Sequence, residues 1–263
     1  MGNRHSRSSP SFGVWFLACV AVLTAACTAA PPPFPGAAAL RDFLLDVPLP
    51  PFELRGGLAA TDQGRTESGE LSIRSGQGTE FWLQLRARVS GSLVLEARFN
   101  PRDLLVVNYA DETYFLGPNR PDTRREQFLM DLSPGEFLVL LTGRLDRRVF
   151  EAGAGRWSGP TQAAYDAGQD RYTFTLDESG LPREWSKSSG GARAFRVEYR
   201  SYKDIAVDGG AIVRMPERVR VYVEGEQPRI VLGISEFHLR ASRVPLDFDL
   251  PPSAKRFRRL TPL

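Results

Sequence analysis

Side chains able to do covalent or proton-transfer chemistry are few in this sequence. Its two cysteines, Cys19 and Cys27, lie near the start, and none follows. The histidines are His5 and His238. His238 stands between Phe237 and Leu239 in an alternating run, so it points away from both, as a structural or surface strand histidine does. A Ser-His-Asp triad would need His238 as its base, and no serine sits in a G-x-S-x-G turn. With no thiol beyond Cys27, a cysteine nucleophile or a Cys/His zinc site is not available to the body of the chain. Gly153-Ala154-Gly155, Ser189-Gly190-Gly191 and Gly209-Gly210 lack the spacing of a phosphate loop and read as turns. Carboxylates are scattered over polar strand positions, which leaves a paired acid site as an open alternative. The expectation is a protein with no catalytic residue, no metal and no cofactor, and not an enzyme.

The one residue with predictable covalent chemistry is Cys27. Met1 to Gly13 is polar and basic, with Arg4 and Arg7 and no acidic residue. Val14 to Ala26 is an apolar run suited to a signal-peptide core and short of the roughly 20 residues that a spanning helix needs. Leu23-Thr24-Ala25-Ala26-Cys27 resembles the lipobox of bacterial lipoproteins, in which small side chains fit the peptidase cleft and the cysteine sulfur takes diacylglycerol. Thr24 stands where the commonest form has leucine. The resemblance implies cleavage before Cys27 and acylation there, palmitate included. It also implies a lipid-anchored, periplasm-facing protein of the bacterial cell envelope. Thr28, rather than aspartate, follows the cysteine, which points to the outer membrane. An ordinary signal peptide cut near Ala30 and an uncleaved anchor are the alternatives. Without a second cysteine after residue 27, the body has no disulfide even in a compartment that permits one, and its stability rests on a packed core.

The charge balance is 34 basic against 31 acidic residues, which argues against a dedicated nucleic-acid binder. The basic residues are interspersed except at Lys255-Arg256-Phe257-Arg258-Arg259, readable as a solvated tail or as a contact with anionic lipid headgroups.

Elements that could position a site follow from periodicity. The chain divides into a signal segment (1–26), a lipidated cysteine with a proline-rich tether (27–35) and a single β domain (36–263). Proline in Thr28 to Pro35 favours extended geometry. Gly36 to Asp46 can form a short helix with Leu40, Phe43 and Leu44 on one face. From Phe52 the period becomes two. Gly56-Gly57 reads as a bend after Phe52-Glu53-Leu54-Arg55. Leu71 to Arg74, Phe81 to Val89 and Leu93 to Phe99 alternate, and Val89 to Leu93 reads as a hairpin. Leu104 to Val107, Thr113 to Leu116, Arg171 to Leu176, Arg183 to Lys187, Phe195 to Tyr202, Arg218 to Val223 and Arg229 to Leu239 continue the series. Phe248 and Leu250 look like a last edge strand. The fold class is mainly β (α+β): a curved antiparallel sheet of about 10–12 strands forming an unclosed half-barrel, with short covering helices.

One helix interrupts the strands. Ser133 as N-cap, Pro134 at the first position and Glu136 three residues after the cap predict its start, and Gly143 its end. Its apolar residues, Phe137, Leu138, Leu140 and Leu141, can cover a sheet face or act as a lid. The strands offer Phe81, Leu83, Leu85, Leu93, Leu95, Phe99, Tyr114, Leu116, Phe174, Leu176, Phe195, Val197, Tyr199, Val219, Val221 and Val223 to one concave face. An open sheet with such a face leaves a groove suited to acyl chains, and an ordinary packed core is the alternative.

The order of these features resembles the LolA/LolB family of lipoprotein carriers and outer-membrane receptors. The likeness runs from Phe52-Glu53-Leu54-Arg55-Gly56-Gly57-Leu58, through Asn100-Pro101, Asp103 to Val107, Thr113 to Gly117 and the helix Glu136 to Gly143, to Phe248-Asp249-Leu250-Pro251. It spans most of residues 40 to 252. It implies a hydrophobic cavity for acyl chains or lipoproteins, a part in lipoprotein localisation, and no enzyme activity. Cavity residues would be drawn from Phe81, Leu83, Leu85, Leu93, Leu95, Tyr114, Leu116, Phe137, Leu138, Leu141, Phe174, Phe195, Val197, Tyr199 and Val221. The receptor carries an exposed loop with an apolar residue, for which Asn119 to Asp122 and Leu145 to Arg148 are candidates. Partners would be the membrane through the lipid anchor, acyl chains or lipoproteins, and an envelope protein, with no nucleic acid. A non-enzymatic structural or scaffolding lipoprotein of an envelope assembly is the alternative.

Overall fold

A computed structural model describes residues 43–45, 49–62, 64–76, 79–128, 130–159, 161–206, 212–223, 227–239 and 247–261. They belong to one compact unit, Pro35–Leu263. The signal segment, Cys27 and the proline-rich tether lie outside the described residues, as does most of the helix expected from Gly36.

The strands run in chain order as β1 (Leu44–Leu45), β2 (Phe52–Asp62), β3 (Arg65–Ser75), β4 (Phe81–Ala87), β5 (Leu93–Phe99), β6 (Asp103–Asn108) and β7 (Thr113–Pro118). Three helices follow, α1 (Pro121–Phe128), α2 (Pro134–Thr142) and α3 (Arg147–Ala152), with β8 (Leu145–Asp146) between the last two. Then come β9 (Arg156–Gly159), β10 (Gln162–Ala167), β11 (Asp170–Leu176), β12 (Pro182–Ser189), β13 (Ala192–Ala206), β14 (Ile212–Tyr222), β15 (Ile230–Leu239) and β16 (Arg258–Arg259). Fourteen of them form one sheet in the order β16-β7-β6-β5-β4-β3-β2-β15-β14-β13-β12-β11-β10-β9. It is two antiparallel meanders joined where β2 pairs with β15. The sheet is large, curved and unclosed, the half-barrel that the alternating pattern predicts.

Side-chain alternation assigns the two faces. In β4, Phe81 and Leu83 turn inward while Trp82, Gln84 and Arg86 turn outward; in β13, Phe195, Val197 and Tyr199 turn inward while Arg196, Glu198 and Arg200 turn outward. Nearly all buried apolar residues join one inner core, which α2 and α3 enter through Val139, Leu140, Leu141 and Phe150. The Gly56-Gly57 pair does not bend the chain, because β2 runs through it. Gly56 passes so close to β15 that a Cβ there would stand 2.0 Å from the carbonyl oxygen of Gly233. The β15 register slips just beyond, between Ile234 and Glu236.

The sheet holds fourteen strands, more than the ten to twelve expected, because some are too short or too weakly alternating to read in sequence. β16 has two residues, β9 four, and β10 is the small-residue run Gln162-Ala163-Ala164-Tyr165-Asp166-Ala167. Leu44–Leu45, expected to end a helix, instead pair in parallel with Leu145–Asp146 as β1 and β8. Phe248 and Leu250 form no strand. They pack, with Ala254 and Phe257, against Leu105 and Val107 on the outer face. The edge is closed by Arg258–Arg259, which pair in parallel with Thr113 and Tyr114 of β7. The basic cluster at 255–259 is therefore no solvated tail: Phe257 meets Tyr109 edge-on at 5.6 Å, while the cations around it stay exposed.

Candidate functional site

The helix α2 forms where its caps predict. Ser133 Oγ accepts the Glu136 amide at 3.3 Å, and the Glu136 carboxylate accepts the Ser133 amide at 2.6 Å. At the other end Gly143 takes the left-handed conformation (φ 69°) and donates its amide to the Val139 carbonyl. With its ends satisfied, the nine-residue segment lies across the inner face of the sheet.

Its apolar contact is centred on Phe137, whose ring meets Phe81 at 5.0 Å and Phe99 at 5.1 Å, both edge-to-face. Leu141 is fully buried beside it. The contact continues over β10 to β13 as a rank of rings: Tyr165 stacks on Tyr172 at 4.6 Å, Phe174 on Trp185 at 6.0 Å, and Trp185 meets Phe195 edge-on at 4.9 Å.

Polar ties fasten α2 to the sheet. The Tyr199 hydroxyl donates to the Val139 carbonyl oxygen at 2.6 Å. Glu136 Oε1 accepts the Tyr172 hydroxyl at 2.7 Å and stands 2.8 Å from Lys187 Nζ, which lies 2.9 Å from Asp170 as well. Lys187 and Glu136 are both under 10% exposed. Burial pushes the Lys187 ammonium towards losing its proton, but hydrogen bonding and charge from Glu136 and then Asp170 outweigh this, and its pKa is raised. Burial first, and then the Glu136 charge, raise the Tyr172 phenol well above its ordinary value, so it serves as a donor.

Of the residues read as cavity candidates, Phe81, Leu141, Phe174, Phe195, Val197, Tyr199 and Val221 are buried together in the inner core. Leu83, Leu95, Phe137 and Leu138 pack against it, partly exposed. Leu85 and Leu93 are half-buried towards the β4–β5 turn. Tyr114 and Leu116 are not on this face: they belong to the outer cluster with Leu105, Val107 and Phe257, because Phe115 takes the inward position in β7. Asn119–Asp122 and Leu145–Arg148 are not free loops either, although Arg120 to Asp122 and Arg148 are exposed. The Asn119 amide is buried against the Asn100 carbonyl at 2.5 Å, Pro121 starts α1, Leu145 is buried and Arg147 starts α3. Among the described residues, the large apolar side chain that is fully exposed is instead Val89, on the β4–β5 turn. His238 is exposed on the outer face, 3.8 Å from Glu236. Among the described residues, no three His, Cys, Asp or Glu stand close enough to hold a metal.

The Glu136–Lys187–Asp170–Tyr172 cluster is absent from the sequence reading. Its signal was present: Lys187 and Asp170 share the inward parity of Trp185 and of Tyr172, a placement that a charged residue tolerates only when paired.

No family model and no curated protein sequence matches the chain. Solved structures similar to it include a LolA superfamily protein from Nitrosomonas europaea, at TM-score 0.48 and 15% identity over 82% of this chain and 92% of that one. A DUF1329 family protein from Desulfovibrio piger is similar at TM-score 0.44 and 11% identity, over 74% and 88%. A domain described as an outer membrane lipoprotein-sorting protein, from Vibrio parahaemolyticus, is similar at TM-score 0.45 and 8% identity, over 73% and 86%. The likeness is one of fold alone.

Proposed function

We propose that this chain binds acyl chains, free or on lipoproteins, on the inner face of its sheet, and that α2 is the displaceable cover of that face. The observation carrying this reading is the Phe137 wedge. A helix of nine residues inserts one aromatic side chain between Phe81 and Phe99, two apolar rings of the sheet. Everything α2 supplies to this contact is hydrocarbon, which a lipid chain reproduces at about 0.8 kcal/mol per buried CH₂ without any polar partner. Among the described residues, lifting α2 breaks three side-chain ties, from Tyr172, Lys187 and Tyr199, and the apolar packing of Val139, Leu140 and Leu141, but no strand pairing. Its role is binding rather than catalysis. In this reading the chain is a periplasm-facing envelope lipoprotein acylated at Cys27, held at the outer membrane, with a part in moving or placing lipidated proteins.

The test is uptake of a fluorescent fatty acid and of a diacylated peptide by the Pro35–Leu263 unit, with mass spectrometry of lipids that co-purify. Saturable uptake that Phe137→Ala accelerates supports the reading. A lipid-free protein that takes up neither probe overturns it. That second outcome favours a scaffolding lipoprotein, a reading that the complete burial of Phe81, Leu141 and Val197 also suits; a partner found by crosslinking would identify the assembly.

A further inference from the structure

On the face of the sheet opposite α2, the central strands leave a trough of about 830 Å³, and a second hollow of about 450 Å³ adjoins it at Arg218, Gly233 and Ser235. Register places one row of residues across it: Arg86 of β4, Glu70 of β3, Gly57 of β2, Gly233 of β15, Arg218 of β14 and Arg200 of β13. At ordinary strand spacing Arg86 and Arg218 stand about 19 Å apart, with the two glycines as the floor between them.

Neither crowding nor backbone conformation requires glycine at these two positions. A Cβ added at Gly57 meets nothing within 4 Å, and one added at Gly233 meets only the Gly57 carbonyl oxygen at 3.9 Å. Neither residue has a positive φ. Their neighbours differ: a Cβ at Gly56 or Gly69 would stand 2.0 or 2.5 Å from a carbonyl oxygen. Glycine inside a strand costs roughly 0.5–1 kcal/mol against alanine, and it often marks a bulge, a bend, or a place where a ligand or another backbone approaches closely. Gly57 and Gly233 keep the floor bare.

The rim is electropositive. The two hollows are lined by seven arginines and three glutamates, and by no lysine. Arg55 and Arg74 are engaged by Glu53. Among the described residues, Arg88, Arg218 and Arg220 have no carboxylate partner. Guanidinium forks match phosphate oxygens two at a time, and a trough lined by unpaired ones concentrates anions. At its end the trough meets the β4–β5 turn, where Arg88 is followed by the fully exposed Val89. An unpaired cation beside a bare apolar side chain suits a lipid–water interface, where headgroup phosphate and acyl chain lie side by side.

We propose that this trough docks the phosphate-bearing headgroups of an anionic membrane surface. The site is separate from the inner face and does not depend on acyl binding there.

The test is sedimentation of the Pro35–Leu263 unit with vesicles of phosphatidylglycerol and phosphatidylethanolamine, against vesicles of phosphatidylcholine alone. Binding to the anionic vesicles is expected, with the Arg86→Gln/Arg218→Gln double variant weaker by about thirtyfold, as two lost arginine–surface contacts imply. Gly57→Thr, which fills the floor with a good strand former, is expected to weaken binding while its Tm stays level or rises. Arg258→Gln/Arg259→Gln, away from the trough, is expected to weaken binding far less. Equal binding to both vesicles, or unchanged binding in the Arg86/Arg218 and Gly57 variants, overturns the proposal. So does displacement by inorganic phosphate at concentrations matched for ionic strength with an inert salt, which would make the trough a free-phosphate site. Absent vesicle binding with tight binding of polyglutamate would assign it to an acidic protein instead. Fatty-acid uptake measured on the same variants separates a failure here from a failure on the inner face.

Discussion

Lys187 Nζ stands 2.8 Å from Glu136 Oε1, joining the first turn of α2 to β12 beside the ring of Tyr172. Removing one partner leaves a charge buried without its counter-ion. Lys187→Met is therefore expected to destabilise the fold by about 3 kcal/mol in urea unfolding. Pairing it with Glu136→Leu is expected to recover part of that loss, though not the part due to the capping bond to Ser133. If α2 is the cover of a lipid site, Lys187→Met also speeds fatty-acid uptake.

Phe137→Ala removes the wedge between Phe81 and Phe99. The ring is only partly buried, so the loss is expected near the lower limit for phenylalanine truncation, about 3 kcal/mol, read as a shift in the unfolding midpoint. A larger loss would mean that α2 is held too firmly in the core to lift.

Adjacent glycines are expected to behave oppositely. Gly56→Ala drives a methyl into the Gly233 carbonyl and is expected to destabilise by about 2–3 kcal/mol. Gly57→Ala enters open space and is expected to be neutral or to stabilise by up to about 1 kcal/mol. Thermal unfolding of the two variants side by side decides it.

Acid weakens the protein through named carboxylates. Burial raises the pKa of Asp170, but hydrogen bonds from Lys187 and Ser189 outweigh it; burial likewise raises that of Glu198 and is outweighed by Tyr222 and Arg196. Both end below the usual range in the folded state. Their contribution is thus present above the unfolded pKa and lost as pH falls through the folded one, which puts the decline below about pH 4. Urea midpoints across this range are expected to fall less steeply in Asp170→Asn than in the parent.

Deleting residues 255–263 removes Phe257 and β16. It removes part of the cover over Leu105 and Val107, leaving Phe248, Leu250 and Ala254, and leaves β7 as a bare edge. Concentration-dependent aggregation, seen in light scattering, is the expected outcome.

Much of this was readable from residue order. The caps of α2 are local chemistry, three residues apart, and Ser133, Pro134, Glu136 and Gly143 announce them without help from the rest of the chain. Strict alternation, as in Phe195-Arg196-Val197-Glu198-Tyr199, fixes the facing of a strand once one side is known. The pattern failed where both faces are covered. Thr113-Tyr114-Phe115-Leu116 is apolar on both sides because the C-terminal segment lies over its outer face, so parity alone could not choose between Phe115 and its neighbours. Contacts between distant charges were also out of reach. Glu136 and Lys187 are separated by several strands in sequence, and only the packing of α2 across the inner face brings them together. Glycine carries two meanings at 56 and 57, one forced by crowding and one not, and composition cannot tell them apart.

The parallel pairing of Leu44–Leu45 with Leu145–Asp146 has a mechanical side. Only two residues, Gly143 and Arg144, separate the last residue of α2 from the start of β8. Tension applied to the chain ahead of Phe43 is thus borne by the burial of that ring against Trp157 and Phe174 and by a two-residue shear joint, and that joint delivers load to the C-terminal end of the helix that lies over the inner face.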